Sequence, residues 1–479
     1  MFSFVFALGD QTEAATTQSL KDQNGPTIAG QPTTTFFGQP RLLSGSTTDF
    51  YASDPNNLCQ VETARPSGAF AASVMLPATV DTTAGTLNTC FGSGGLLRGF
   101  ITTGGIRNAL ASIVDSQDRI YIAGQSDSSG TSDMAVWRFK SDGSPDNTFG
   151  GNGLTLIDFG GDESAAGIAL DSTGRIVIAG NILGNTSIGV ARLDTNGVLD
   201  TTFSGDGKQF VDLAGANEQA GGVDTVGNDI FVAGTYQTAS SDFLVAKILS
   251  GGALDTTFDV DGMKTVTLGA VDDATGIEAV NSSEIYVVGN RNTAGANDWG
   301  IAKLGFNGAL AVTFNGTGSL TFDPNSMEGN GATTTDLVKA VKVDSSGRLV
   351  MVGTTGDNLA VARVSSAGVF DVTFAGNGVV TNGLGGPNDV ANTLTFTTDG
   401  SIIAAGYGDE FGSKDYAARK FTTAGVASTT YGETDFDKTN TLSDYATGVV
   451  VLSSGKIVLT GNIKQGTFPT EIGLAEYNP

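Results

Sequence analysis

Histidine is absent from the 479-residue sequence. Without an imidazole, the chain contains no Ser-His-Asp triad, no histidine general base and no His-liganded zinc or copper site. This absence excludes the commonest arrangements of hydrolytic and metal-dependent active sites.

Basic residues are scarce as well. Lys and Arg total 25 against 50 Asp and Glu, which gives a formal net charge of -25 and a pI near 4.1. Such a charge repels phosphate backbones and anionic membranes, so nucleic-acid binding is disfavoured. The sequence also has no apolar run near the ~20 residues that a membrane span needs, and no transmembrane span is predicted.

Cysteine occurs twice, as Cys59 and Cys90. A disulfide between them would close a loop of about 30 residues. Alternatively, both remain thiols, because spacing alone does not decide the pairing. An even count in an acidic, Lys-poor chain is typical of an oxidising environment. We therefore expect a secreted or cell-surface protein.

Glycine, in contrast, is abundant, with 68 residues, and the chain repeats itself. A phrase related to Leu-Asp-Thr-Thr-Phe recurs seven times, at intervals of 54 to 60 residues. Its aromatic residues are Phe91, Phe149, Phe203, Phe258, Phe314, Phe374 and Tyr431. Repeats of this length are typical of propellers and solenoids.

Each unit contains four β-like runs bounded by Gly, Asn, Asp or Ser. In the second unit they are 153–159, 165–171, 176–180 and 188–194. The third run always ends in glycine, which suggests a close backbone approach between neighbouring sheets. These glycines are Gly124, Gly180, Gly234, Gly289, Gly353, Gly406 and Gly461. We predict an all-β, seven-bladed β-propeller of four-stranded blades.

The repeats resemble those of the delta-60 repeat family, in which a phrase like LDTTFGGDGKV precedes an alternating strand, DSxG and IVxAG. The phrase is closest to this form at Leu199–Lys208. The resemblance covers about residues 87–479 and implies a propeller. That family is largely uncharacterised, so the resemblance implies no catalytic residues.

The strand order predicts how the repeats close. Residues 472–478 end the last unit, whose outer strand is missing unless residues 95–103 supply it. Such a pairing would cover an otherwise exposed edge. We therefore divide the chain into an N-terminal β segment, 1–86, and a propeller, 87–479, closed by that pairing.

A cation recurs near the end of the fourth run in six units. These residues are Arg138, Arg192, Lys247, Lys303, Arg363 and Lys420. A feature present in nearly every repeat indicates ion pairs or hydrogen bonds between blades rather than a ligand site.

The turns that follow the first and third runs vary in length and should share one face. Variable loops on a rigid scaffold commonly bind ligands, so this acidic face is the predicted binding surface, with a merely solvated rim as the alternative. The candidate binding residues are Asp162, Glu163, Asp272, Asp273, Asp389, Tyr407, Asp409 and Glu410.

No cofactor is predicted, although calcium is the cation that an acidic face would favour. Asp435 and Asp437 alternate like the start of a calcium loop. The pattern is weak, because Asn440 and Ala446 stand where such a loop has Gly and Glu.

We predict that the protein is not an enzyme. Paired carboxylates such as Asp272 and Asp273 could act on a polysaccharide, but adjacent residues usually diverge. Quinone-dependent propeller enzymes carry Trp-rich repeats, whereas this chain has only Trp137 and Trp299.

The N-terminal segment matches no repeat. Its first run alternates, with Phe2, Phe4, Phe6 and Leu8 on one face, and resembles either a strand or the apolar part of a signal peptide. Three more β-like runs follow at 33–37, 49–52 and 69–76. The first strand either pairs within this segment or adds to another copy, which would produce a filament.

Two functions follow from these patterns. The first is a structural role, in which strand 2–8 joins copies into a filament or surface layer by self-association. The second is a monomeric module that binds a surface glycan or protein through the acidic face.

Overall fold

Alternating apolar residues organise the chain into antiparallel sheets in its computed structural model. The structure describes residues 85–88, 91–92, 95–98, 107–183, 187–213, 216–281, 283–293, 296–329, 336–383, 388–409, 414–434, 443–464 and 470–479. It also describes the backbones of four N-terminal strands. All further statements concern these residues.

The N-terminal strands form two separate pairs. Strand β1 (Phe4–Leu8) pairs with β4 (Phe70–Val74), and β2 (Phe50–Asp54) pairs with β3 (Asn57–Thr63). The runs predicted at 49–52 and 69–76 correspond to β2 and β4, and β3 was not predicted. The run at 33–37 lies outside the described residues.

The rest of the described chain forms four-stranded antiparallel sheets, which we name A to G. Their bounds are as follows. Sheet A contains β6 (Arg107–Val114), β7 (Ile120–Ser126), β8 (Asp133–Phe139) and β9 (Leu154–Ile157). Sheet B contains β10 (Asp162–Leu170), β11 (Ile176–Leu183), β12 (Ser187–Leu193) and β13 (Lys208–Val211).

Sheets C and D are the two halves of one eight-stranded sheet, joined by a single parallel bridge between Ser241 and Val271. Sheet C contains β14 (Asn217–Val226), β15 (Asp229–Gln237), β16 (Ser241–Ile248) and β17 (Met263–Val266). Sheet D contains β18 (Val271–Val280), β19 (Glu284–Thr293), β20 (Ala296–Gly305) and β21 (Ser319–Phe322).

The remaining sheets have the same strand order. Sheet E contains β22 (Asp336–Val343), β23 (Leu349–Thr355), β24 (Asn358–Val364) and β25 (Val379–Asn382). Sheet F contains β26 (Val390–Phe396), β27 (Ile402–Gly408), β28 (Asp415–Phe421) and β29 (Ala427–Thr434). Sheet G contains β30 (Tyr445–Val451), β31 (Ile457–Ile463), β32 (Glu471–Tyr477) and β5 (Leu96–Arg98).

Helix is nearly absent. The one helix of the described chain, α1 (Pro324–Met327), has Asp323 as its N-cap. None of the described helical structure is long and apolar enough to cross a membrane. The all-β prediction is confirmed.

The first strand of each sheet, which we call the inner strand, contacts the inner strand of the next sheet, and β30 of sheet G contacts β6 of sheet A. Apolar side chains fill the spaces between neighbouring sheets. One cluster, for example, joins Ile122 and Trp137 of sheet A to Val458 and Leu474 of sheet G. The core is therefore distributed between the sheets rather than concentrated at one centre.

Every inner strand carries a β-bulge opposite the glycine that ends the predicted third run. A Cβ at Gly353 would lie 2.0 Å from the Leu337 carbonyl oxygen, and one at Gly180 would lie 2.2 Å from that of Ser164. Both contacts are within one sheet. The close approach was predicted correctly, but the prediction that it occurs between neighbouring sheets is wrong.

The repeated aspartate phrase joins each sheet to the next. In sheet B, the Asp200 carboxylate accepts hydrogen bonds from Thr202 N–H (3.0 Å) and from Arg192 Nε (2.9 Å). Arg192 Nη1 donates to the Ser250 carbonyl oxygen in sheet C (2.6 Å), and its guanidinium lies 4.8 Å from the centre of the Phe203 ring. We call this arrangement the seam staple.

The seam staple recurs around the described sheets. The cation of the third strand also donates to the next sheet at Arg138–Thr195 (2.6 Å), Lys303–Ser366 (2.9 Å) and Arg363–Thr423 (2.6 Å). Arg138, Arg192, Lys303 and Arg363 therefore join neighbouring sheets as predicted. Lys247 and Lys420 instead form ion pairs with Asp255 and Asp399 of their own sheets.

We expect Gly353→Ala to lower the free energy of unfolding by about 1 to 3 kcal/mol, because the added methyl group collides with the backbone of β22. Urea unfolding followed by circular dichroism measures the change. Gly251→Ala is the control, since a Cβ there meets no atom within 4 Å. Equal stabilities for the two variants would contradict the steric explanation.

A second prediction concerns the Lys247–Asp255 ion pair of sheet C. A hydrogen bond from Lys247 Nζ (2.6 Å) lowers the pKa of Asp255 to about 2 from the usual 3.8. Because the unfolded chain takes up the proton first, this stabilisation is complete above about pH 4 and is lost as the pH falls toward 2.

We expect Asp255→Asn to lower the free energy of unfolding by about 1 to 2 kcal/mol at neutral pH. We also expect the variant to lose less stability than wild type between pH 4 and 2. Urea unfolding across this range measures both effects. Asp261→Asn is the control, because Asp261 forms no ion pair among the described residues. Parallel pH profiles for wild type and Asp255→Asn would contradict the prediction.

Candidate functional site

Three parts of the chain meet where an inner strand begins. They are the loop that leads into that strand, the end of the fourth strand of the preceding sheet, and the turn between the second and third strands of that preceding sheet. At the junction of sheets A and B, Glu163 N–H donates to the Ser132 carbonyl oxygen (2.5 Å), and Ser132 N–H donates to Asp162 (3.1 Å). Asp389 N–H makes the equivalent bond to Asp357 (3.0 Å). This geometry brings residues from distant parts of the sequence to one end of the sheets.

A carboxylate occupies the same register position at the start of six inner strands, two residues before the bulge. We call these residues the entry carboxylates: Glu163, Glu218, Asp272, Asp336, Asp389 and Asp444. All six are buried, with at most 3% of their surface exposed. Arg107 takes the position in sheet A.

The entry carboxylates hold the loops that precede them. Glu163 accepts a hydrogen bond from Gly161 N–H (2.9 Å), and Glu218 accepts one from Leu213 N–H (3.2 Å). Asp272 accepts from the backbone of both Leu268 (2.6 Å) and Gly269 (2.8 Å). These bonds satisfy loop N–H groups that the sheets leave without a strand partner.

Burial raises the pKa of Glu163, Glu218 and Asp272, and the backbone hydrogen bonds oppose that shift. Only one oxygen of each carboxylate is hydrogen-bonded among the described residues. Oε2 of Glu163, Oε2 of Glu218 and Oδ1 of Asp272 are buried without such a partner. A buried carboxylate oxygen without a hydrogen bond is costly, which indicates a position suited to a proton or a cation.

Glu163 differs from the other entry carboxylates because two further acids surround it. Asp133 begins β8, and Asp158 follows β9. One carboxylate oxygen from each of Asp133, Asp158 and Glu163 lies within 4.8 Å of the others. We call this group the carboxylate trio, and no other group of three acids lies so close in the described chain.

The predicted binding residues do not all lie in exposed loops, as the sequence analysis expected. Asp162 and Asp273 are exposed, whereas Glu163, Asp272 and Asp389 are completely buried. The prediction of a loop position is wrong for Asp162, Glu163, Asp272 and Asp273, which belong to inner strands. The need to tie the entry loops to the strands accounts for this burial.

Tyr407 and Asp409 lie at another junction, between sheets F and G. The Tyr407 ring packs edge to face on Tyr445 with 5.2 Å between centroids, and Lys414 Nζ lies 4.5 Å from the Tyr407 ring centre. Asp409 accepts a hydrogen bond from Asn388 Nδ2 (3.3 Å). The structure therefore places the predicted acidic and aromatic residues at separate junctions rather than in one site.

Several predicted residues lie beyond what the structure describes: Phe2, Cys90, Glu410, Asp435 and Asp437. The backbone is described at Phe4, Phe6, Leu8 and Cys59, but their side chains are outside the described part. The disulfide and the weak calcium loop therefore stay predictions.

Neither Asp133 nor Asp158 is among the site residues predicted from the sequence. A detectable signal was present, because an acid two residues before the bulge recurs in six repeats. The proximity of Asp133 to Glu163 depends on strand pairing and could not be detected in that way.

A second cluster lies near the other end of the inner strands. Asp224 accepts a hydrogen bond from Ala279 N–H (2.7 Å), and Glu278 accepts one from Val343 N–H (3.3 Å). Both acids line a cavity of about 240 Å³ together with Lys342. Desolvation raises the pKa of both carboxyls, and the charge of Lys342 opposes the shift. The cavity is smaller than the roughly 300 to 1,000 Å³ of most small-molecule sites.

Comparison with protein families supports the fold. Residues 118–149, 172–203 and 228–258 match a family described as "Domain of unknown function (DUF5122) beta-propeller". The matched stretches cover parts of sheets A, B and C. No curated protein sequence matches the chain.

Three solved structures that resemble the chain have low sequence identity to it. Sqt1 of Chaetomium thermophilum is 14% identical, with a TM-score of 0.43 over 75% of this chain and 81% of that chain. The polysaccharide lyase Uly1 is 11% identical, with a TM-score of 0.47 over 77% and 90%. A mutant puromycin hydrolase is 8% identical, with a TM-score of 0.45 over 77% and 52%. At these values, none of these proteins informs the function of this chain.

The entry carboxylates give a prediction for pH dependence. Because burial raises the pKa of Glu218 above 4.5, the folded chain retains its proton longer than the unfolded chain does. The stability that Glu218 contributes is therefore present at low pH and declines as the pH rises through the elevated pKa.

We expect Glu218→Gln to keep the hydrogen bond from Leu213 N–H and to remove the decline in stability with rising pH. Glu218→Ala loses that hydrogen bond, and we expect its free energy of unfolding to fall by about 1 to 3 kcal/mol. Urea unfolding at pH 4.5 and pH 7 separates the two effects. A Gln variant whose stability changes with pH as much as that of wild type would refute the assignment.

Proposed function

We propose that the protein is a non-catalytic, secreted or cell-surface β-propeller that joins other copies through its N-terminal segment. Sheets A to G are the seven blades of the proposed ring, and the N-terminal pairs form a small β segment beside them. The proposed assembly is a filament or surface layer.

Contacts between the two ends of the chain support a closed ring. Strand β5 pairs antiparallel with β32, with Leu97 opposite Leu474. Thr447 Oγ1 of sheet G donates to the Ala109 carbonyl oxygen of sheet A (3.0 Å), and Asn462 Nδ2 donates to the same oxygen (2.8 Å). These contacts resemble those between consecutive sheets, as a ring requires.

Strand β1 pairs within the N-terminal segment, the first of the two alternatives that the sequence offered, and the assembly proposal rests on the strand edges that this pairing leaves. Among the described strands, β1 and β4 pair only with each other, and neither joins sheets A to G. Each strand of a two-stranded sheet has one edge of backbone N–H and C=O groups available for another strand. The short apolar β1 is therefore suited to extend a sheet formed with another copy.

The charges of the described residues favour a non-catalytic role. The seam staples neutralise acids of the repeated phrase, and the entry carboxylates hold loops. The absence of histidine removes the commonest general base. Structural contacts thus account for most of the buried acids.

A glycan- or protein-binding module is the second candidate. The edge-to-face pair of Tyr407 and Tyr445, with Lys414 over both rings, is the observation that favours it. Aromatic faces beside polar groups are common in ligand sites.

The decisive experiment compares the natively processed chain with one that lacks residues 1–12, by light scattering and negative-stain microscopy. We expect the complete chain to form fibres or sheets and the truncated chain to form discrete, ring-shaped particles, because the joining strand is removed. Circular dichroism is the control for folding.

Discrete particles from both proteins would reject assembly through this strand. Glycan-array binding by wild type and by Tyr407→Ala would then test the second candidate. Images without a ring of seven units would reject the proposed closure.

A further inference from the structure

The carboxylate trio concentrates negative charge, and the nearby cation Lys208 donates from Nζ to the backbone carbonyl oxygen of Asp158 rather than to a carboxylate. Asp133, Asp158 and Glu163 form no ion pair with a Lys or Arg in the part of the chain that the structure describes, whereas the seam staples pair acids with cations. At most 2% of the surface of Asp133 and Glu163 is exposed. Three carboxylates so close together repel one another strongly in a poorly solvated position.

Both carboxylate oxygens of Asp133 accept hydrogen bonds, whereas Asp158 and Glu163 each keep one oxygen without a hydrogen bond among the described residues. Asp133 accepts hydrogen bonds from the hydroxyls of Ser129 and Thr131, and Asp158 accepts one from Gly160 N–H (2.5 Å). Oε1 of Glu163 accepts from Gly161 N–H, but Oε2 is buried without a hydrogen-bond partner. This buried oxygen within a group of acids is an observation separate from the acid count.

We propose that Asp133, Asp158 and Glu163 bind a Ca²⁺ ion at the junction of sheets A and B. The site requires neither self-assembly nor ligand binding, so it stands apart from the function proposed above.

The spacing fits this ion. Calcium binds oxygen at about 2.3 to 2.6 Å, so two oxygens on opposite sides of one ion are about 4.6 to 5.2 Å apart. The oxygens of the trio lie within that distance of one another. Carboxylates are hard ligands that calcium prefers, and the exposed side of Asp158 leaves room for water to complete the coordination. Magnesium binds such sites less readily, because it loses its water reluctantly and demands octahedral geometry.

The three ligand residues come from two different sheets. Asp133 and Asp158 belong to sheet A, while Glu163 belongs to the inner strand of sheet B. An ion bound by all three would join the sheets at the inner-strand entry, opposite the end that the seam staple joins. Binding to the folded state alone would also stabilise that state.

The junction of sheets B and C offers a matched control. There the entry carboxylate is Glu218, Asp212 follows β13, and Ser187 occupies the position of Asp133. This junction retains two acids and lacks the third. Glu218→Gln therefore removes an equivalent buried carboxylate without touching the trio.

Isothermal titration of the chelator-treated full chain with CaCl₂ tests the proposal, with thermal unfolding in CaCl₂ and in EDTA as the second readout. We expect binding of one ion at the trio and a higher midpoint of unfolding in calcium. Glu163→Gln and Asp158→Asn should each weaken this binding at least tenfold, whereas Glu218→Gln should leave it unchanged. MgCl₂ should bind more weakly than CaCl₂.

Asp158→Asn keeps the test valid if the buried substitution prevents folding, because Asp158 is exposed. No calcium binding by the wild-type chain would overturn the proposal. Binding that Asp158→Asn leaves intact would overturn it as well, as would equal losses in Glu218→Gln and Asp158→Asn. The calcium site does not depend on assembly. Calcium binding at the trio by the monomeric protein would support the site even if the assembly proposal fails.

Discussion

The hydrogen bond from a third-strand cation to the turn of the next sheet is the interaction on which the arrangement of the sheets depends. Apolar packing between two sheets is non-directional and does not fix how far one sheet slides along the other. The guanidinium of Arg192 fixes that position, because it binds Asp200 in its own sheet and a carbonyl oxygen in the following one. The aromatic ring beneath it shields the pair from water, which strengthens the attraction.

Buried acids have different partners at the two ends of each junction. At the seam staple, buried acids meet cations, and the pKa of Asp200 is lowered through its hydrogen bonds with Thr202 and its attraction to Arg192 despite desolvation. At the inner-strand entry, buried acids meet backbone N–H groups, and desolvation raises the pKa of Glu163 and Asp272. The first end is complete within the chain, whereas the second has capacity for a proton or a metal ion. The lowered pKa values at the first end make its ion pairs respond as the pH falls below the usual carboxyl range, whereas the raised values at the second end make its acids respond as the pH rises above that range.

The sequence predicted local features well and spatial relations less well. Alternation predicted the strands of sheets A to G, because it follows from the two-residue period of a strand, and the recurring glycines marked the same strand in each repeat. The glycine opposite each bulge was recognised, yet its contact was assigned to the wrong neighbour, since periodicity does not identify which backbone lies nearby. Glu163 and Asp272 were expected in loops because acids are usually exposed, and the cost of leaving loop N–H groups without partners outweighs that tendency. The carboxylate trio joins residues up to 30 positions apart, and only the pairing of strands brings them together.

The pairing of β5 with β32 has a consequence for synthesis on the ribosome. Sheets A to F consist of strands that are contiguous in the sequence, so each can be completed soon after its last strand emerges. Sheet G needs Leu96–Arg98 from near the start and Glu471–Tyr477 from the end. At roughly 5 to 20 residues per second, translation of residues 99–470 takes about 20 to 75 seconds, during which β5 has no strand to pair with in sheet G. Among the described sheets A to G, sheet G is thus the one whose completion waits for two strands that are far apart in the sequence.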